Sequence, residues 1–127
     1  MNLIETFVIP DTVTSLGEGV MSGWTSLKSI TIPFIGASAS ENGINGVFGY
    51  MFGRAEVSGI TPTNQPYEYN TNKNWSKYQN FYIPPTIKTV IMSNKITKIP
   101  DMAFARCTFI DDYVFPDLLL NLHSNYT

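Results

Sequence analysis

The sequence predicts a β-rich α/β solenoid whose coils form one parallel sheet, with short helical or 3₁₀ turns opposite the sheet and a long loop inserted midway. Three observations predict it. A strand-like pattern near the N-terminus returns 23 residues later, a second pair of such strands lies downstream in the same frame, and turn motifs between the strands recur at a displacement of 83. A fixed period of about 20 to 50 residues is the signature of stacked units.

The first strand carries Ile4, Phe7, Ile9 and Pro10, and the second repeats them as Leu27, Ile30, Ile32 and Pro33. Downstream, Ile87, Val90 and Met92 recur as Ile110, Tyr113 and Phe115, with Pro116 in the proline position. Alternate residues of a strand face opposite sides. Phe7 with Ile9, Ile30 with Ile32, Val90 with Met92 and Tyr113 with Phe115 are therefore placed inward, each strand led by Ile4, Leu27, Ile87 or Ile110. A proline just after a strand lacks the backbone donor needed for further pairing, which explains Pro10, Pro33 and Pro116 as chain breakers. The third strand departs from the rule with Ser93.

Between the strands, Val13-Thr14-Ser15-Leu16 is echoed by Ile96-Thr97-Lys98-Ile99. Val20-Met21-Ser22-Gly23-Trp24 is echoed by Ala103-Phe104-Ala105-Arg106-Cys107. The displacement of 83 exceeds two repeats of 23 by 37, so 37 residues beyond the frame lie between the second and third strands. No coil of this size buries its own core, and stacking supplies the burial.

The chain reads as one domain, 1–127, with repeat units at about 3–33 and 86–117, an insertion at about 34–82 and an incomplete last coil at 117–127. Ile83-Pro84 lies out of frame and closes the insertion, since Pro84 precedes Ile87 by three residues whereas Pro10 precedes Leu27 by 17. The insertion has two halves. In the first, Phe48 and Phe52 stand at i, i+4 within a glycine-rich apolar run, as on a short amphipathic helix able to dock on the repeats. The second, Thr61 to Gln79, is rich in Asn, Thr, Pro and Lys and is expected as a loop without regular structure. Its aromatics Tyr67, Tyr69, Trp75 and Tyr78 either form a ligand-contacting surface or pack the loop on the core.

The run from Phe7 through Ile9-Pro10 to Thr14-Ser15-Leu16-Gly17, and the run Met102-Ala103-Phe104-Ala105-Arg106-Cys107, resemble the BspA-like leucine-rich repeats. Those units carry an Ile-Pro after the strand and an Ala-Phe-x-x-Cys turn opposite it. The resemblance covers about residues 3–33 and 86–117, and the first unit departs from it with Val20-Met21-Ser22-Gly23-Trp24. It implies a curved leucine-rich-repeat solenoid, part of a larger cell-surface or secreted protein that mediates adhesion and other protein contacts, with further repeats of that parent protein as neighbours. Met1-Asn2-Leu3-Ile4-Glu5 does not read as a signal peptide, so a cytoplasmic location stays open beside the surface one.

Composition removes several function classes. Eight basic and ten acidic residues give a formal charge of -2, no footprint for a polyanion, and nucleic acid is not an expected partner. One cysteine, Cys107, and one histidine, His123, form neither a disulfide nor a metal set, and no cofactor is implied. No window approaches the roughly 20 apolar residues of a membrane helix, so this chain is not expected to insert. Gly17-Glu18-Gly19 with Gly23 lacks the dinucleotide spacing, Asp111 and Asp112 are adjacent rather than paired, and His123 has no partner at a motif spacing. The glycosylation triplets Asn74-Trp75-Ser76 and Asn125-Tyr126-Thr127 matter only in a eukaryotic secretory pathway.

The remaining reading is a non-catalytic interaction module that binds a protein or surface glycan; the alternative is a structural spacer displaying neighbouring domains. The outward strand positions supply the candidate contact residues Lys28, Ser29, Thr31, Lys88, Thr89 and Asp112, beside the insertion aromatics Tyr67, Tyr69, Trp75 and Tyr78.

Overall fold

Short β-branched runs separated by proline and glycine turns give strands rather than helices, and the computed structural model, which describes residues 3–70 and 75–117, contains six. They are β1 (Thr6–Val8), β2 (Ser29–Ile32), β3 (Thr63–Asn70), β4 (Trp75–Phe81), β5 (Thr89–Met92) and β6 (Asp112–Val114). Four of them form one parallel sheet in the order β1-β2-β5-β6. The register keeps the repeat frame: Phe7 stands opposite Ile30 and Val90 opposite Tyr113, each 23 residues apart, and Ile30 stands opposite Val90 across the longer middle connection.

The period-2 alternation decides which side is buried. Both β2 and β5 alternate half-buried and buried residues, with Ile30, Ile32 and Val90 fully excluded from solvent and Met92 3% exposed. Each such side chain contributes roughly 1.5–3 kcal/mol of burial. The leading residues Leu27 and Ile87 are also fully buried, and Ile110 nearly so, but Ile4 is 38% exposed because β1 has a neighbour on one side only. Phe7 and Tyr113, on the outermost strands, are half-buried for the same reason. The strand-leading backbone is locked by a further row of bonds, in which the N–H of Lys28 donates to Glu5, that of Lys88 to Lys28 and that of Asp111 to Lys88.

Opposite the sheet, both recurring turn motifs are runs of hydrogen-bonded turns rather than helices, with Ser22 donating to Gly19 and Ala105 to Met102. Val20 points away from the core and is 53% exposed, whereas its counterpart Ala103 is buried. Between the two motifs lies the glycine-rich apolar run that carries Phe48 and Phe52. Two 3₁₀ turns, Gly43–Gly46 and Phe48–Met51, replace the amphipathic helix expected there. The second is sandwiched: Met21 N–H donates to Met51, and Phe48 N–H donates to Ala103. Phe48 and Phe52 are both fully buried, their rings 5.4 Å apart edge to face.

The stretch Thr61 to Gln79, expected to lack regular structure, instead forms an antiparallel hairpin of β3 and β4, with a bulge between Pro66 and Glu68. Two features account for it. Alternating aromatic and polar residues favour strand pairing on a half-buried surface, and Gln65 anchors the hairpin in the core, fully buried within β3. The C-terminal segment from 118, including the expected incomplete coil and His123, lies outside the described residues, as do both glycosylation asparagines, Asn74 and Asn125.

Candidate functional site

The parallel register turns scattered sequence positions into rows. Thr6, Ser29, Thr89 and Asp112 line up across the four strands, and Val8, Thr31, Ile91 and Val114 form the next outward row. The first row is polar. The second is apolar apart from Thr31, and its ends Val8 and Val114 are 56% and 43% exposed. All six strand-derived candidates therefore lie on or beside one face.

Charge on that face is partly spoken for. Lys28 Nζ lies 3.1 Å from Glu5 Oε1, an exposed pair worth at most about 1 kcal/mol. Lys88 Nζ donates to the carbonyl of Phe109 at 3.3 Å. Asp111 and Asp112 are both exposed at the sheet's β6 side, both backbone N–H groups donate to the Lys88 carbonyl, and among the described residues neither carboxylate forms an ion pair with a base.

The aromatic candidates are placed elsewhere. They all belong to the hairpin, whose side-chain bonds go to the turns and not to the four-stranded sheet among the described residues. Tyr67 is half-buried and packs on the core, Tyr78 is 45% exposed, and Tyr69 and Trp75 are placed by backbone position only, one in each hairpin strand. The strand face and the hairpin that carries the aromatics thus belong to two different sheets.

Sequence reasoning passed over Gln65 and Arg106. Gln65 Oε1 accepts from Gly49 N–H at 2.8 Å, while its Nε2 donates to Ala105 at 2.9 Å and Ala103 at 3.3 Å. One side chain thereby ties the hairpin to two turns, and nothing in a stretch rich in Asn and Thr distinguishes it beforehand. Arg106 donates to Asn64 Oδ1 at 3.0 Å and lies 5.2 Å over the Tyr78 ring. It occupies a variable position of the turn motif.

Chemistry at Cys107 is closed off by burial, which pushes its thiol up to about 12. The described residues contain no group of metal-ligating side chains and no helix long and apolar enough to cross a membrane.

Against known proteins, the family model described as BspA type Leucine rich repeat region matches residues 1–48 and 63–126 in six copies. No curated protein and no solved structure matches the chain significantly. Family repeats are generally protein-interaction modules without enzymatic activity. With the match spanning most of the chain and the repeat frame visible as parallel strands in register, this chain belongs to the BspA-type leucine-rich-repeat family.

Proposed function

We propose that the chain is a non-catalytic interaction module, stacked as a solenoid within a surface or secreted protein, whose outward strand face contacts a protein partner or a surface glycan in adhesion. One observation carries it: four strands present a polar row, Thr6-Ser29-Thr89-Asp112, directly beside a mainly apolar row, Val8-Thr31-Ile91-Val114, whose ends are exposed and whose middle is half-buried. An apolar strip flanked by hydroxyls and mixed charge fits a protein surface and lacks the single-sign field that a polyanion demands. Lys28, Lys88 and Asp112 flank the strip and set orientation.

The test is a binding screen over extracellular proteins and glycan arrays, repeated with Ile91→Lys and with a triple alanine variant at Lys28, Lys88 and Asp112. Circular dichroism checks the fold of each. Ligands lost by these variants and kept by Tyr78→Ala support the face. Ligands that ignore every face variant support the spacer reading, in which the repeats only hold neighbouring domains apart.

A further inference from the structure

An open cleft of about 450 Å³ lies where the root of the hairpin meets the second turn motif, and it shares no residue with the strand face. Its lining includes Thr61, Thr63, Asn64, Arg106 and Thr108, with half-buried Phe109 and a few further apolar residues beside them. Among the described residues no acidic side chain lines it. Among the described residues no carboxylate pairs with Arg106, in contrast to Arg54, which is matched to Glu18 at 2.8 Å.

The position of Arg106 is built. Its backbone adopts φ 63°, the left-handed turn geometry that the first turn motif shows at Gly23. Asn64, itself held by a 2.7 Å bond to Asn80, and the Tyr78 ring hold the guanidinium at the cleft rim. One nitrogen is used by Asn64, and the fork keeps further donors for an oxyanion.

We infer that this cleft binds a carboxylated sugar of the uronate type, with Arg106 on the carboxylate, the threonine hydroxyls and Asn64 on ring hydroxyls, and Phe109 against the apolar face of the ring. The volume suits one or two sugar units. A peptide is the poorer fit, because the cleft offers scattered hydroxyls where a peptide backbone requires an ordered row of donors and acceptors. The inference is independent of the strand-face reading, since either surface can bind while the other does not.

The experiment titrates glucuronate, glucose, acetate and N-acetylglycine into the full chain and follows backbone amide shifts. Glucuronate is expected to bind with a dissociation constant of about 1 mM or below, shifting Thr61, Thr63, Asn64, Arg106 and Thr108. Glucose and acetate are expected to bind at least about tenfold more weakly, each lacking half of the recognised chemistry. Arg106→Gln removes the glucuronate preference over glucose, and Thr108→Val, which keeps shape, weakens glucuronate while leaving acetate unchanged. Absence of cleft shifts at about 10 mM glucuronate overturns the inference. Acetate binding as tightly as glucuronate, or N-acetylglycine binding more tightly, overturns the saccharide class. Should Arg106→Gln unfold, the Thr108→Val titration decides alone.

Discussion

Gly19 and Met102 hold the same place in the two turn motifs and the same left-handed backbone, with φ of 73° and 62°. The next shared position repeats the relationship, Gly23 at 82° and Arg106 at 63°. The turn geometry is therefore a property of the repeat, met by glycine in the first unit and by strained residues in the second. Left-handed backbone costs a residue with a side chain roughly 1–2 kcal/mol. Met102→Gly is expected to raise stability by about 0.5–1 kcal/mol after the entropy cost of glycine, or about 2–4 °C in Tm. Gly19→Ala, whose added Cβ meets nothing closer than 3.7 Å, is expected to lower it by about 1 kcal/mol through backbone strain alone. Thermal melts of the pair decide; a destabilised Met102→Gly would show that Met102 packing outweighs its strain.

Gly49 answers a different demand. A Cβ there would stand 2.5 Å from Phe81, a fully buried ring at the end of β4 with no room to retreat. Gly49→Ala is expected to destabilise by about 1–3 kcal/mol through overpacking. Combining it with Phe81→Leu, which opens space, should cost less than the two changes added separately. Chemical denaturation of the four proteins measures the coupling, and strict additivity would place the contact outside the energetics.

How far the sequence carried the fold follows from which positions obey a period. The strands do, because Phe7, Ile30, Val90 and Tyr113 must share a row for the core to close, and the pairs Phe7 with Ile30 and Val90 with Tyr113 each keep the spacing of 23. The polar and apolar outward rows follow from the same register, so the strand-face candidates were legible as a group. The hairpin was not, since β3 and β4 pair with each other outside the four-stranded sheet, and their placement depends on contacts with turns far away in the chain. Nor could the spacing show that the Phe48–Met51 segment would wedge between the two turn motifs. The cleft at Arg106 needed the hairpin in place before Asn64 and Tyr78 could meet a residue of another unit.

The buried thiol predicts an alkaline limit. Desolvation raises Cys107 from 9.0 to about 12, and desolvation, with a contribution from Cys107, raises Tyr113 from 10.0 to about 12. Both groups hold their protons more tightly folded than unfolded. Their contribution to stability is complete below about pH 9 and is lost as pH rises from there toward 12. Cys107→Ala is expected to flatten this decline, and Cys107 should resist thiol reagents at pH 8 unless denaturant is added. Rapid labelling of the native chain would contradict the burial.

Gln65 gives the sharpest test of what holds the hairpin on. Its amide is matched at both ends, accepting from Gly49 and donating to Ala103 and Ala105, so an apolar replacement leaves the buried Gly49 N–H without this acceptor and both carbonyls without this donor. Gln65→Leu keeps much of the volume but leaves a donor and two acceptors without this partner, an expected loss of about 2–4 kcal/mol. Gln65→Glu separates hydrogen bonding from packing. Its carboxylate can accept from Gly49 yet faces the carbonyls of Ala103 and Ala105, where only a protonated oxygen can donate. Burial raises the folded pKa of such a carboxyl, so its stabilising contribution is present below the ordinary value of about 4.3 and is lost as pH rises. Gln65→Glu is therefore expected to be more stable relative to the parent at pH 4 than at pH 7, while Gln65→Leu shows no such pH dependence. If both variants lost stability equally at both pH values, the Gln65 bonds would be incidental, and the hairpin would be held by Phe81 and Tyr67 packing instead.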